Sequence, residues 1–559
     1  MKGYSMIASR TAKWHFAFVF VAISFVSPVA ADEASLIGHW PLVNNSEDHS
    51  GNGNHGESHN VSFDPSGGAP GQGGAASFDG RTSLVTVASS ESLQLGKDEF
   101  SIALWVHTAE KLDDVLGDLL SNYSGETRRG FNLSIQNYSG VTSSQSNDRH
   151  LHFGIDTGQE VPEWTDHGQL GKAMMIFGMA VYQGQLFAGT CEAGEQESGH
   201  VFRYDGETWI DCGSPDRCNA VSSLAVYDGK LYVGVSKYRL RGSSLAESTN
   251  ENLGGTVYRY DGDNQWVNCG KLKDTEAING MVVYRGRLYA GSLYAPAGFF
   301  RYEGGATWAS CGTPAGKRVE SLTVYNGDLY ATGYDEGAVY RYDGEYWHRA
   351  GTIEGATQTY GFATYRGELY VSEWPNAKVF RRGGGQQWLS AGRLGEEKET
   401  MPLMVYNGKL YGGTLPLAEV YRYDEPNWTK VGRVDHTPDV RYRRAWTMAV
   451  YRGRLFVGAL PSGHIHSTEI GRNVTYDYAL PSGWVHVAAV RAADELRLYV
   501  NGQLVAASSK FEGDEYDLTN DEQLKIGFGA NDYLNGRLKD VRLYLGTLAA
   551  EEIKQLAGH

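Results

Sequence analysis

The sequence lacks several features that define large classes of proteins. It has only 5 cysteines in 559 residues, and their spacing matches neither a zinc cluster nor a catalytic dyad. No apolar run reaches the ~20 residues that a membrane-spanning helix needs. Helical periodicity is nearly absent, apart from a short stretch at residues 549–556. The formal net charge is −16, which argues against nucleic acid or an anionic lipid surface as a partner.

The first 31 residues have the pattern of a signal peptide. Lys2, Arg10 and Lys13 precede the apolar run 16–26, and small residues follow up to Ala31. Cleavage near Ala31 would remove three cations and no acid, so the charge of −16 would become −19. We therefore expect a secreted, periplasmic or cell-surface protein whose ligand is neutral or cationic.

A hairpin pattern recurs through the middle of the chain, with LAVYDGKLYVG at residues 224–234 as one example. An apolar strand, a turn with glycine and a second apolar strand follow one another, which predicts a tight β-hairpin. The turn glycines are Gly184, Gly229, Gly286, Gly327, Gly367, Gly408 and Gly453, with spacings of 45, 57, 41, 40, 41 and 45. Repeats of this length, rich in strand-forming residues, predict the blades of a β-propeller.

Tryptophan strands indicate how the ring closes. Six of them follow hairpins, whereas the seventh, at Trp164, precedes the first hairpin and the last hairpin has none after it. The prediction is a seven-bladed propeller over residues 158–470, whose last blade takes three strands from the C-terminal end and one from the N-terminal end. The pattern VYRYDG at residues 257–262, followed by Trp266, resembles a kelch-type blade.

The segments on either side of the repeats complement each other. DHSGNGNHG and SFDG occur before them, and WVHVA, LYVNG and GRLKDVRLY occur after them. These motifs resemble the laminin-G-like, concanavalin A-like lectin/glucanase jelly roll, split into residues 32–157 and 471–559. The resemblance implies an all-β protein in which the propeller interrupts a jelly-roll sandwich. Closure of the last blade places both junctions on one side of the propeller, so we expect the jelly roll on that side.

Unrepeated residues at the start of the first strand in blades four to seven are the predicted ligand-binding residues. They are Arg318, Glu320, Gln358, Tyr360, Glu399, Arg444 and Trp446. Such aromatic and charged groups could stack a sugar ring and bind its hydroxyls. The alternative is a belt of ion pairs among the two arginines and two glutamates. Glu320 and Glu399 are also weak candidates for a catalytic acid and base, and no catalytic motif supports them.

Three further sites are predicted or weighed. The jelly-roll resemblance implies a structural Ca²⁺ at Asp48 and Asp540. The alternative is that Asp48 only caps a turn. Cys212 and Cys218 flank one loop and could form a disulfide in an oxidising compartment. His464 and His466 resemble a metal pair, but they align with His200 and Phe202 of the first repeat, which favours ordinary strand residues.

The first functional hypothesis is an exported carbohydrate-binding protein that engages glycans through the jelly roll, the open propeller face or both. The second is a polysaccharide-degrading hydrolase or lyase that uses the propeller channel. The third is a scaffold for protein partners, because a fold alone does not determine function.

Overall fold

The computed structural model describes residues 34–68, 73–111, 116–159 and 161–558, together with residues 1 and 3. The predicted signal peptide and its cleavage site therefore lie almost entirely outside the described residues. Within these ranges, no helix has the length and apolar character needed to cross a membrane.

The strands fall into three groups along the chain. The first group is β1 (Ser35–Trp40), β2 (Gly56–His59), β3 (Ser62–Asp64), β4 (Ala75–Asp79), β5 (Leu84–Val87), β6 (Phe100–Thr108), β7 (Gly117–Ser124), β8 (Arg129–Tyr138) and β9 (Asn147–Thr157). The second group, which contains the repeats, is β10 (Trp164–Gln169), β11 (Met175–Tyr182), β12 (Gln185–Cys191), β13 (Val201–Tyr204), β14 (Trp209–Asp211), β15 (Ala220–Tyr227), β16 (Lys230–Ser236), β17 (Thr256–Tyr260), β18 (Trp266–Lys271), β19 (Ile278–Tyr284), β20 (Arg287–Ser292), β21 (Phe299–Gly304), β22 (Thr307–Ser310), β23 (Val319–Tyr325), β24 (Asp328–Gly333), β25 (Ala338–Tyr342), β26 (Trp347–Thr352), β27 (Gln358–Tyr365), β28 (Glu368–Trp374), β29 (Lys378–Arg382), β30 (Trp388–Arg393), β31 (Glu399–Tyr406), β32 (Lys409–Leu415), β33 (Glu419–Asp424), β34 (Asn427–Arg433), β35 (Arg444–Tyr451), β36 (Arg454–Leu460) and β37 (His464–Thr468). The third group is β38 (Arg472–Tyr476), β39 (Gly483–Arg491), β40 (Leu496–Val500), β41 (Gln503–Ala507), β42 (Leu524–Ile526) and β43 (Asn535–Leu545), followed by helix α1 (Ala550–Leu556).

The first and third groups form one β-sandwich. One sheet has the order β3-β4-β43-β6-β39-β40-β41, with β1 also paired to β43, and the other has the order β2-β5-β42-β7-β8-β9-β38. Each sheet therefore mixes strands from before and after the repeats. Large side chains such as Trp40, Phe100 and Phe153 are fully buried in the core between the sheets. Neither segment can bury its apolar faces without the other, which is the arrangement expected of a split jelly roll.

The second group forms a β-propeller. Five four-stranded sheets are separate, and the other eight strands, β11–β18, form a single sheet. The prediction of seven separate four-stranded blades is therefore not confirmed, because five sheets have four strands and the sixth has eight. The sheet is continuous because Cys191, at the end of β12, pairs with Ala220, at the start of β15. The strand before the first hairpin, β10, pairs with β37 near the end of the group.

The repeated hairpin turns have the geometry that their sequence predicts. At the turn between β15 and β16, Asp228 has φ +50° and Gly229 has φ +65°. Positive φ at both central residues is the mark of a type I′ turn, whose twist matches that of the two strands. These turns face the sandwich: the Gly184 N–H donates to Asp477 O at 2.9 Å, and the Gly367 N–H donates to Asn531 O at 3.2 Å. The sandwich thus covers this side of the propeller.

The recurring tyrosines and tryptophans link neighbouring repeats. Trp266 Nε1 donates to Cys212 O at 2.9 Å, and Trp164 Nε1 donates to Val431 O at 2.9 Å. The hydroxyl of Tyr451, in the last repeat, donates to Gly184 O in the first repeat at 3.0 Å. These side chains are structural, as the sequence analysis expects of residues that recur in every repeat.

The sandwich also fills the centre of the propeller. Residues 139–146, which join β8 to β9 and are here named the plug loop, bond to the first strands of several repeats. The Gln145 N–H donates to Leu224 O at 2.9 Å, the Met281 N–H donates to Ser143 O at 3.1 Å, and the Phe362 N–H donates to Gly140 O at 2.9 Å. Since these strands pack around the loop, the central channel does not run through the propeller.

Candidate functional site

A cavity of about 860 Å³ occupies the propeller face opposite the sandwich. All seven residues predicted to bind a ligand line it: Arg318, Glu320, Gln358, Tyr360, Glu399, Arg444 and Trp446. They converge because each lies at or near the start of the first strand of its repeat. Directly beyond them on the same strands, Ser321 and Phe362 contact the plug loop. The cavity is therefore a blind pocket whose deep end is closed by the sandwich.

The structure adds lining residues that the sequence analysis missed. Tyr238, Arg239, Arg241, Ser244 and Glu247 come from the segment between β16 and β17, which contains a short 3₁₀ helix at Leu240–Ser243. This segment is the longest insertion among the repeats, and its length is the feature of the sequence that could have identified it as part of the pocket.

A second set of missed residues is aromatic. Tyr294, Tyr334 and Trp374 lie at or just after the end of the second strand in three successive repeats, and Tyr442 lies just before β35. Their shared position in the repeat is a periodic signal that could have identified the first three. Together with Phe177, Tyr238, Tyr360 and Trp446, they bring the number of aromatic residues in the pocket lining to eight of 21.

Arginine side chains lie over several of these rings. The Arg239 guanidinium carbon is 4.3 Å from the Tyr294 ring centre, and that of Arg318 is 4.0 Å from the Tyr334 ring centre. The guanidinium of Arg444 is 5.3 Å from the Trp446 ring centre. Such cation–π contacts hold the planar groups in place, so the pocket wall is organised before a ligand enters.

The belt of ion pairs among the two arginines and two glutamates, which was the alternative to a ligand site, is only partly formed. Arg444 Nε lies 3.1 Å from Glu399 Oε1, and both side chains are more than nine-tenths buried. Arg318 pairs instead with Asp335, at 2.8 Å. Glu320 joins neither pair, and its Oε2 atom has no hydrogen-bond partner among the described residues. One carboxyl group of the pocket is thus left free of the belt.

Burial changes the protonation of this free carboxyl group. Desolvation, followed by the charge of Glu399, raises the pKa of Glu320 to about 8, and the guanidinium groups of Arg318 and Arg444 oppose the shift. Glu320 is therefore mostly neutral at pH 7 and can donate a hydrogen bond. Desolvation also raises the pKa of Glu399, but the adjacent Arg444 opposes that shift. The two carboxyl groups consequently differ in their surroundings, one unpaired and one in an ion pair.

The residues of the predicted calcium site are engaged in hydrogen bonds. The Asp48 carboxylate accepts from the backbone N–H groups of His39, Ser50 and Asn54 at 2.8–2.9 Å, and from the Ser50 hydroxyl. Asp540 contacts His39 Nε2 at 2.8 Å and Arg542 Nε at 2.9 Å. Hydrogen-bond donors therefore surround both carboxylates, as the turn-capping alternative expects of Asp48.

The predicted disulfide between Cys212 and Cys218 is not formed, and all five cysteines are free thiols. The two thiols are directed to different neighbours: the Tyr260 hydroxyl lies 3.7 Å from Cys212 Sγ, whereas Cys218 Sγ lies 3.7 Å from Ala220 O. Desolvation raises the pKa of Cys218 to about 12, so this thiol stays protonated. The prediction was wrong because adjacency in a loop does not determine where buried side chains point.

His464 and His466, which the sequence analysis took as ordinary strand residues, lie beside Asp166. Potential metal-ligand atoms of the three side chains lie within 4.8 Å of one another. Asp166 comes from β10 and the two histidines come from β37, so only the pairing of these distant strands brings the group together.

Comparison with known proteins supports part of the fold. The sequence model of the laminin-G type, described as the concanavalin A-like lectin/glucanases superfamily, matches residues 450–554. No curated protein matches the chain significantly. The lectin-like domain and the propeller are compatible with binding of carbohydrate or protein.

Several solved structures resemble part of the chain. Virginiamycin B lyase from Staphylococcus aureus has 11% identity and a TM-score of 0.45, and the match covers 55% of this chain and 99% of that one. A streptogramin B lyase has 10% identity and a TM-score of 0.45, covering 56% and 100%. The WD40 propeller of Doa1 has 10% identity and a TM-score of 0.39, covering 55% and 97%. At this level of similarity, none of them indicates a function for this chain.

Proposed function

We propose that the protein is an exported carbohydrate-binding protein that holds a glycan in the blind pocket of its propeller. The observation that carries this proposal is the convergence of all the predicted ligand-binding residues on one cavity of about 860 Å³. Binding sites for small ligands have volumes of roughly 300–1,000 Å³ and combine apolar walls with a few placed polar groups.

The pocket wall has the two kinds of group that a sugar needs. The apolar faces of a pyranose ring stack on aromatic side chains, and Tyr334, Trp374 and Tyr442 are partly exposed at the pocket wall. Hydroxyl groups need donors and acceptors, which Gln358 and the neutral Glu320 carboxyl group supply. A ligand hydroxyl would also satisfy Glu320 Oε2, whose burial without a partner is costly.

The charges of the pocket refine the expected ligand. Four arginines and three glutamates line it, and one of the glutamates, Glu320, is mostly neutral at pH 7. Two of these arginines have carboxylate partners outside the lining, Glu276 for Arg239 and Asp335 for Arg318, so the charges around the pocket are balanced. A neutral glycan therefore fits the pocket best, which agrees with the expectation of a neutral or cationic ligand.

We further infer that the propeller has seven kelch-like blades. In support, the eight-stranded sheet contains two hairpin repeats and is joined only at Cys191 and Ala220. The pairing of β10 with β37 supports closure of the ring by three strands from one end and one from the other.

The same proposal includes export by a signal peptide cleaved near Ala31 and a structural Ca²⁺ at Asp48 and Asp540. The cation would have to replace hydrogen bonds that these carboxylates now accept.

A polysaccharide-degrading enzyme is the second candidate, because the pocket holds two carboxyl groups in different surroundings. Glu320, which is mostly neutral at pH 7, and Glu399, which is paired with Arg444, have the contrasting surroundings that an acid and its partner need in glycoside hydrolysis. This candidate predicts release of new reducing ends from a bound polysaccharide, and loss of that release in Glu320→Gln.

The proposal is tested by measuring glycan binding to the mature chain on an array that includes neutral, uronic-acid and amino-sugar glycans, followed by calorimetry of each hit. Tyr334→Ala should weaken binding at least 10-fold, because its ring lines the pocket. Tyr346→Ala is the matched control, since Tyr346 is 61% exposed and does not line the pocket. Absence of any bound glycan would refute the proposal and leave a protein partner as the remaining candidate. Equal binding by wild type and Tyr334→Ala would place the glycan site elsewhere, with the jelly roll as the first alternative.

A further inference from the structure

The edge of the sheet that joins the two ends of the propeller holds a group of metal-ligand side chains. In the antiparallel pairing of β10 with β37, Asp166 lies opposite His466. His464 and His466 are two residues apart on β37 and therefore project from the same face of the sheet. Asp166 and the two histidines thus meet on one face, although they are 298 and 300 residues apart in the sequence.

The distances are close to those of a metal site. His464 Nδ1 lies 3.0 Å from Asp166 Oδ1 and 3.0 Å from Oδ2, and His466 Nε2 lies 3.8 Å from Oδ1. Tetrahedral Zn²⁺ with ligands at about 2.0–2.2 Å places neighbouring ligand atoms about 3.3–3.6 Å apart. Small side-chain rotations are therefore enough to bring one nitrogen from each histidine and one carboxylate oxygen to a shared ion.

The first repeat contains the same arrangement without the third ligand. There His200 Nδ1 lies 2.9 Å from Asp211 Oδ1, and Phe202 lies opposite Asp211 in the strand pairing. The rings of His200 and Phe202 stack at 6.0 Å and 28°, and those of His464 and His466 stack at 6.0 Å and 24°. The histidine–aspartate pair and the ring stack therefore occur in both repeats. At the position of His466, the first repeat makes the same ring stack with Phe202.

His466 is the difference between the two repeats. Packing alone does not require an imidazole where the first repeat has Phe202. Burial of that imidazole leaves His466 Nδ1 without a hydrogen-bond partner among the described residues. A metal ion bound at Nε2 would explain why an imidazole, rather than a phenyl ring, stands at this position. Water has access to the site because the Asp166 side chain is 50% exposed.

We propose that Asp166, His464 and His466 form a binding site for a divalent transition-metal ion of the zinc type. Two imidazoles and one carboxylate are ligands that Zn²⁺ accepts, whereas Ca²⁺ and Mg²⁺ prefer oxygen ligands throughout. The three side chains leave a coordination position for water. Because the ligands come from β10 and β37, the bound ion would fasten the N-terminal strand of the propeller to its C-terminal strand and stabilise the folded state.

The test uses the mature chain after removal of any histidine tag, which would itself bind the metal. Calorimetric titration with Zn²⁺ should show one site, and Zn²⁺ should raise the Tm relative to protein in EDTA. His466→Phe should weaken binding at least 10-fold and remove the rise in Tm. This substitution reproduces the side chain of the first repeat, so we expect the variant to fold, and its circular dichroism spectrum in EDTA should match that of wild type.

Phe202→His provides the reciprocal test, because it adds the missing imidazole beside His200 and Asp211. This variant should bind a second Zn²⁺ ion. The proposal is refuted if wild type binds no Zn²⁺, or if His466→Phe binds it as tightly as wild type does. Failure of Phe202→His to gain a second site would contradict the argument that the third side chain makes the difference. Titration with Ca²⁺ should give no binding that depends on His466.

Discussion

Replacement of Glu320 by glutamine gives the sharpest test of the pocket's electrostatics. In the folded protein, desolvation and the charge of Glu399 raise the pKa of Glu320 from 4.5 to about 8. In the unfolded chain the same carboxyl group is solvated, and its pKa returns to about 4.3–4.5. The folded state therefore binds a proton that the unfolded state has already lost throughout the range from about pH 4.5 to pH 8.

The sign and size of the effect follow from this difference. Below pH 4.5 the group is neutral in both states, and its neutral form costs the folded state little. As the pH rises to 8, the unfolded state binds fewer protons than the folded state, so the free energy of unfolding falls. At 1.36 kcal/mol per pKa unit, the loss is about 4 kcal/mol at pH 8 and approaches about 5 kcal/mol at higher pH. Glutamine has nearly the same shape and no charge, so Glu320→Gln should avoid that loss.

We therefore expect the stability of Glu320→Gln relative to wild type to rise with pH. The two proteins should unfold at similar temperatures at pH 4.5, and the variant should have the higher Tm by several °C at pH 8. Glu354→Gln is the control, because Glu354 is exposed and the same chemical change should leave Tm nearly unaltered at every pH. At pH 6.5, the infrared difference spectrum of wild type minus Glu320→Gln should contain the carbonyl band of one protonated carboxyl group, which would identify the proton directly.

A difference in Tm between Glu320→Gln and wild type that stays constant from pH 4.5 to pH 8 would refute this reasoning. That result would mean that water or a counterion solvates Glu320 in the pocket and keeps its pKa near the ordinary value. It would also remove the basis for treating Glu320 as a hydrogen-bond donor at pH 7.

Three other expectations follow from the structure. Glu399→Gln should lower the free energy of unfolding, measured by urea denaturation, by about 3–5 kcal/mol, because it leaves the buried Arg444 without its ionic partner. A loss below about 1 kcal/mol would show that water already solvates that pair. A thiol reductant should leave the Tm unchanged, since all five cysteines are free, and a drop in Tm would reveal a disulfide. Asp48→Asn should lower the Tm equally in Ca²⁺ and in EDTA if Asp48 only caps its turn, whereas a Ca²⁺-dependent rise in Tm that the variant loses would support the calcium site.

Much of the fold could be predicted from the chain alone, because the signals are local and repeated. The turn at Asp228 and Gly229 needs positive φ at both residues, and the same dipeptide position recurs at a regular spacing. Positions that vary between repeats, such as Glu320 and Arg444, stood out against this background. Their place at the start of equivalent strands was enough to predict that they meet in one pocket.

The sequence by itself therefore determined the repeated hairpins, the split of the sandwich and the pocket-lining positions that depend on the repeat register. Tertiary structure decided which side chains pair: Arg318 bonds to Asp335 rather than to a pocket glutamate, and the thiols of Cys212 and Cys218 do not join. It also decided that the plug loop closes the pocket and that Asp166 meets His464 and His466. These contacts depend on the packing of segments far apart in sequence, and no local pattern of residues encodes such packing.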